Sequence, residues 1–132
     1  MNTAIGSNAL KSLTTSSNNT GIGAYALTVV TGGNNTAMGQ DALKAVTSGA
    51  YNIGIGRDSG DNLIDGSGNI IIGSADTAAT DSARTLKITS YDGSTTTNHM
   101  IGDSSGNQIF AGTATAAGGQ LTTTGKALVM GF

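Results

Sequence analysis

The sequence predicts an all-β fold, a parallel β-solenoid (β-roll) of about five 16–17-residue coils, homotrimeric, with a C-terminal antiparallel β cap. Three observations carry that prediction. One nine-residue phrase recurs at fixed spacing, the composition denies the chain a conventional core, and the C-terminal part changes to the alternation of ordinary strands.

The phrase is NTAIGSNAL at residues 2–10, repeated as NTGIGAYAL at 19–27 and NTAMGQDAL at 35–43. Two decayed copies follow, NIGIGRDSG at 52–60 and NIIIGSADT at 69–77. Their leading asparagines, Asn2, Asn19, Asn35, Asn52 and Asn69, follow one another at almost equal intervals. A short fixed period held over half of a small protein marks a stacked repeat architecture.

Stacking the copies produces columns, each with a physical reading. Ile5, Ile22, Met38, Ile55 and Ile72 form an apolar column, expected to make a continuous spine with each coil covering its neighbour. Gly6, Gly23, Gly39, Gly56 and Gly73 follow it, as a backbone angle only glycine tolerates or a close approach of another chain segment would require. Leu10, Leu27 and Leu43 form a second apolar column that breaks at Gly60, and Leu13, Val30, Val46 and Leu63 a third. The asparagine column is placed to form a ladder of amide hydrogen bonds along the stack. TTSSN at 14–18, TGGN at 31–34 and TSGAY at 47–51 have turn compositions. A competing reading puts one helical turn at ALKSL (9–13) and ALKAV (42–46), since Ala, Leu and Lys are good helix formers.

The composition agrees with a backbone-ordered fold. In 132 residues there are 21 glycines, 4% aromatic and 11% charged residues, and no proline, cysteine or tryptophan. Large aromatic side chains supply the greatest buried areas, so a conventional core is ruled out. The net charge of −2 leaves no basic footprint for nucleic acid. The lack of cysteine removes disulfides and zinc-cysteine sites. No stretch reaches the roughly 20 apolar residues of a membrane helix. With Met1 as the start, no basic and apolar leader precedes the first copy, so assembly in a cytoplasm is expected.

A coil this short holds only two or three apolar side chains, which makes one isolated stack marginal. Oligomerisation is the natural remedy, and cyclic symmetry places equivalent columns around one axis.

The three full copies resemble the head repeats of trimeric autotransporter adhesins and, more closely, related repeats in bacteriophage tail fibres and other virion fibres. The resemblance covers residues 2–75. It implies a parallel β-roll with three chains packed about a threefold axis. Met38 in place of Ile, and Ser59 and Gly60 in place of Ala and Leu, depart from the pattern, and the stack is expected to loosen or end near residues 57–68.

The domain reading is 1–75 repeat β-roll and 76–132 linker and C-terminal cap or oligomerisation region. DTAATDSA at 76–83 reads as a linker or loop. RTLKITSY at 84–91 alternates as a half-buried strand. Asp92-Gly93 and DSSGN at 103–107 are turn signals separating NHMIG (98–102) and QIFAG (108–112), giving a three-stranded meander. A similar pattern after the repeats in phage fibre proteins supports a cap, which would blunt the open solenoid edge. TATAAGGQ at 113–120 has a flexible composition, and KALVMGF at 126–132 is expected to dock as a last strand or on a neighbouring subunit.

No chemistry stands out. His99 reads as a surface or packing residue, without a G-x-S-x-G elbow elsewhere. Asp61, Asp65, Ser67 and Asn69 have a partial likeness to a calcium loop that lacks the closing glutamate, and read as a turn. Asp41 and Asp58 share a column with Asn8 and Tyr25, a solvent-facing position rather than a carboxylate pair for glycoside cleavage. Tyr25, Tyr51 and Tyr91 are expected to fill intersubunit gaps more than to stack on sugars. The expected protein is therefore not an enzyme and uses no cofactor or metal. It is a structural part of a bacteriophage virion, a trimeric fibre, spike or capsid-decorating cement protein. Its expected partners are itself, other virion proteins and cell-surface glycan, with neither nucleic acid nor membrane among them. A bacterial adhesin head at the cell surface and a polysaccharide depolymerase module are the competing readings.

Overall fold

The computed structural model describes residues 1–110. Each repeat contributes one three-residue strand between its Asn and its Gly: β1 (Thr3–Ile5), β2 (Thr20–Ile22), β3 (Thr36–Met38), β4 (Ile53–Ile55) and β5 (Ile70–Ile72). β6 (Leu86–Tyr91), β7 (Thr96–Gly102) and β8 (Gln108–Phe110) follow. Among the described residues these eight strands form one sheet in chain order, parallel from β1 to β6 and antiparallel from β6 to β8. The molecule is an all-β parallel solenoid of about five coils, with antiparallel strands at its C-terminal end.

The register is that of the repeats. Ile5 stands opposite Ile22, Ile22 opposite Met38, Met38 opposite Ile55, and Ile55 opposite Ile72. The column continues one rung beyond the last copy, because Ile72 pairs with Ile88 and Ile70 with Leu86.

The helical turn of the competing reading is absent, and the segment is made of turns. Leu10, Leu27 and Leu43 have φ of 53°, 50° and 50°, and Asn8, Tyr25, Asp41 and Asp58 lie between 56° and 60°. Left-handed residues two apart cannot propagate a right-handed helix. The segment instead folds as successive tight turns, in which Leu13 N–H donates to Leu10 O at 3.1 Å and Val46 N–H to Leu43 O at 3.2 Å. These turns throw Leu27, Leu43, Val30, Val46 and Leu63 into the coil interior, where all are fully buried.

The stack does not loosen near residues 57–68. Gly60 keeps the left-handed conformation of the leucines it replaces (φ 62°), and its N–H donates to Ala75 O at 2.7 Å. Residues 76–83 run as the outer part of the fifth coil. Ile64 N–H donates to Thr80 O at 2.7 Å, and Asn62 Nδ2 donates to Thr77 O at 3.0 Å. β7 and β8 then fold back as the expected meander, with a β-bulge between Ile88 and Thr89. The segments 113–120 and 126–132 lie outside the described residues.

Candidate functional site

Two columns define what this molecule presents and what holds it together. The first is the asparagine ladder, buried at Asn19, Asn35, Asn52 and Asn69. Asn35 Oδ1 accepts the Asn52 backbone N–H at 2.9 Å and the Asn52 side-chain amide at 3.1 Å. Asn52 Oδ1 does the same for Asn69, at 3.0 and 2.9 Å. Each side-chain amide also reaches across its coil to a loop carbonyl: Asn19 to Gly32, Asn35 to Gly49 and Asn52 to Gly66, at 3.0, 2.9 and 2.9 Å. The ladder ends at Thr85, whose N–H and Oγ1 both donate to Asn69 Oδ1, at 3.1 and 2.6 Å. Such buried polar networks stabilise only when every member is satisfied, and each rung here is.

Gly32, Gly49 and Gly66 escaped the sequence reading, although their equal spacing, one per coil, was available as a signal. A Cβ on Gly32 would stand 2.7 Å from the Gly49 carbonyl carbon, so loop backbones stack directly. In the NxxIG glycine column both anticipated reasons apply. Gly6, Gly23, Gly39, Gly56 and Gly73 have φ between 106° and 136°, and a Cβ on Gly6 would meet the Gly23 carbonyl at 2.7 Å.

The second column is the isoleucine spine, and the coils do not cover it. It lies on the outer face of the sheet, with Ile5 59%, Ile55 38% and Ile72 37% exposed, and with Met38 exposed as well. Ile53 and Ile70 line a second row beside it, also exposed. The strand period of two forces this arrangement. Between the outward residues, Gly21, Ala37, Gly54 and Ile71 point inward, and the first three must be small because the Leu side chains come up beneath them. A Cβ on Gly54 would lie 2.7 Å from Leu43 Cγ.

The remaining candidates are dispersed. Asp65 accepts from Thr47 Oγ1 at 2.7 Å and Ser48 Oγ at 2.9 Å, which holds its carboxyl below the usual range. Ser67 Oγ accepts from Ala50 N–H, while Asn69 belongs to the ladder. Lys44 bridges Asp61 at 3.1 Å and Asp41 at 3.7 Å, and its hydrogen bond to Asp61 raises its pKa. Asp58, Asp61 and Asp76 line a cleft of about 240 Å³, where burial and then a hydrogen bond with Asp61 raise the Asp76 pKa. His99 Nε2 is 2.9 Å from Ser90 Oγ on the exposed cap. Tyr25, Tyr51 and Tyr91 are all exposed. Among the described residues, no three His, Asp or Glu side chains group to hold a metal ion.

Fold and columns together define a β-solenoid protein with an aliphatic outer sheet face. Comparison with known proteins finds no matching family model, no matching curated protein and no matching solved structure.

Proposed function

We propose that the protein is a non-enzymatic structural component of a bacteriophage particle, a homotrimeric fibre, spike or capsid-decorating part. The observation that carries this reading is the aliphatic outer face. Ile5, Met38, Ile55 and Ile72, with the half-buried Ile22 among them, form one column along the stack, beside a row of Thr3, Thr20 and Thr36 that becomes aliphatic at Ile53 and Ile70. A contiguous exposed strip of this kind marks an interaction surface. The charged groups Lys44, Asp41 and Asp61 pair with one another in the turns of the coils and not in the strands that carry the strip.

Three chains closing their strips on one axis remove this surface from water and compensate for the thin core. The resemblance of NTAIGSNAL and its copies to fibre repeats supports the threefold count and the virion setting. Contact with other virion proteins, or with cell-surface glycan through many weak contacts, follows from the same setting. The test is a solution mass by light scattering, expected near three times 13.0 kDa. A stable monomer removes the basis of the proposal. Binding to emptied capsids against binding to host cells then separates cementing from attachment.

A further inference from the structure

The corner at which each coil enters its strand carries another column, outside the buried ladder. It consists of Asn18, Asn34, Tyr51, Gly68 and Arg84, each one residue ahead of a member of the ladder or of Thr85 at its end. All five are left-handed, with φ of 63°, 62°, 59°, 73° and 52°. From Asn34 on, each N–H donates to the coil before: Asn34 to Ser17 O at 3.1 Å, Tyr51 to Gly33 O at 3.2 Å, Gly68 to Ala50 O and Arg84 to Ser67 O, both at 2.9 Å. The corner therefore presents one side chain per rung, about 4.8 Å apart.

Asparagine and glycine suit this conformation, and asparagine opens the column. Asn18 Nδ2 donates to Asn34 Oδ1 at 3.3 Å, the start of an outer amide ladder. The next rung ends it. Tyr51 has no carboxamide, and Asn34 Nδ2 finds no acceptor among the described residues. Tyr51 and Arg84 hold the left-handed conformation against the preference of their own side chains, as an Asn or Gly would not. Packing does not offset that strain: Tyr51 is 67% exposed, Arg84 is exposed, and neither forms an ion pair among the described residues. Backbone strain kept without a packing return points to function. Crowding does not require Gly68 between them, since a Cβ there would meet nothing nearer than Arg84 Cγ at 3.5 Å. Its bare backbone leaves a notch one rung wide between the phenol and the guanidinium.

We propose that Asn34, Tyr51, Gly68 and Arg84 form a binding row for an acidic oligosaccharide. One pyranose lays its C–H face on the Tyr51 ring, and Asn34 Nδ2 donates to a hydroxyl of that sugar. The following sugar crosses the notch at Gly68 and brings its carboxylate to Arg84. A guanidinium takes a carboxylate by two parallel N–H···O bonds, which favours a carboxylated sugar over a neutral one. The row stands on an exposed corner, which suits the flat, hydroxyl-edged face of a sugar better than the buried anchor a peptide needs. The proposal rests on the reading of this protein as a part that attaches to cell-surface glycan, and names the surface that does so. It does not depend on the threefold count.

The test uses the full chain, followed by NMR, with three carboxylated oligosaccharides: oligogalacturonate, oligomannuronate and oligosialate. At least one is expected to shift the Tyr51, Gly68 and Arg84 amides in a saturable way. Its methyl ester is expected to bind at least about ten-fold more weakly, the loss of a hydrogen bond between charged groups. Arg84→Gln is expected to cost the free acid the same factor and to leave the ester's affinity unchanged. Tyr51→Ala is expected to weaken both forms about five-fold or more. Gly68→Asn keeps the left-handed conformation but fills the notch, and is expected to weaken the acid as Arg84→Gln does. Slow amide exchange at Gly39 and Gly56, which donate to Ile22 O and Met38 O, shows that each variant is folded. No saturable shift with any of the three oligosaccharides overturns the proposal, and so does binding that all three substitutions leave unchanged. A fall in solution mass in Tyr51→Ala assigns the ring to a contact between subunits, which overturns it as well. Oligosaccharide binding by a chain that does not bind host cells separates the two readings: the row stands and the attachment role falls.

Discussion

Ile71 fills the space that a leucine fills in the coils before it: a Cβ on Gly60 would lie 2.6 Å from Ile71 Cδ1 and 2.9 Å from Leu43 Cδ2. The turn and strand positions Leu10/Gly21, Leu27/Ala37, Leu43/Gly54 and Gly60/Ile71 form a series in which one member is large and the other small. The fourth copy exchanges the two sizes and keeps the volume. Gly60→Leu alone is expected to overpack the coil and cost about 1–3 kcal/mol. Ile71→Ala alone is expected to cost about 2–5 kcal/mol through the cavity it leaves. The double variant rebuilds the Leu27/Ala37 arrangement and should recover most of both losses in urea unfolding. Simple additivity of the two costs would show that the pair is not coupled.

Asn52→Ala tests the ladder at its centre. It strips the acceptor from the Asn69 N–H and side-chain amide, and the donor from Gly66 O, all inside the coil. Each buried group left unpaired costs about 1–3 kcal/mol, so a loss of several kcal/mol is expected. Asn2→Ala, at the exposed end, gives up one bond to Asn19 N–H and one to Ser16 O and should cost much less. Equal midpoint shifts in urea would show that the ladder is not a cooperative element.

The glycine column is tested by a pair of substitutions with the same backbone demand and different surroundings. Gly39 has φ 136° and a Cβ there would stand 2.6 Å from the Gly56 carbonyl carbon, whereas Gly93 has φ 99° with open space around it. Gly93→Ala carries only the conformational cost of about 1–2 kcal/mol. Gly39→Ala adds a backbone clash that no side-chain rotation relieves, and is expected to abolish folding or to lower the thermal midpoint by more than twice the shift of Gly93→Ala.

Charging the outer strip tests the assembly without touching the interior. Ile55→Lys together with Ile72→Lys places two ammonium groups on exposed positions of neighbouring rungs. The expected result is a fall in solution mass from three chains to one, with exchange protection of the Asn52 and Asn69 amides retained inside any coil that stays folded. A mass that does not change would place the contact elsewhere.

Acid acts on the cap through turn carboxylates. Asp103 accepts from the Asn107 side chain at 2.7 Å and from the Asn107 and Ser105 N–H groups, both at 2.9 Å, and these bonds hold its pKa below the ordinary 3.8. Asp92 is lowered likewise by the Thr95 and Ser94 N–H groups. A carboxyl with a depressed folded pKa contributes stability that is present above the unfolded value and lost as pH falls through the folded one. Asp76, raised by burial, has the opposite sign: its contribution is present below 3.8 and lost as pH rises through its folded pKa. Lowering the pH below 3.8 should therefore speed amide exchange at Ser105 and Asn107 while leaving the Asp76 region tighter. In Asp103→Asn the acid step at those two amides should disappear, as followed by NMR.

What was legible in the sequence follows from repetition. The near-equal spacing of Asn2, Asn19, Asn35, Asn52 and Asn69 is enough to predict stacking and strand register, because corresponding residues meet when each coil returns to the same point, and one coil shorter by a residue keeps the register. The cap was legible from strand alternation and from the turns at Asp92-Gly93 and Asp103–Asn107. The composition of DTAATDSA suggested a linker, whereas its Thr80 and Ser82 carbonyls complete the fifth coil by accepting from Ile64 N–H and the Asn69 side chain.

The amino-acid order alone thus determined that coils stack, how many there are, and which residues form columns. Only the tertiary structure decided which columns face in. A three-residue strand has two faces of equal claim, and Ile-rich positions read as core by hydrophobicity. The leucines took the interior instead because left-handed turns aim them there, and the small residues of each strand had to turn toward them. The column that runs from Ile5 to Ile72 was left on the outer face, where one stack does not cover it.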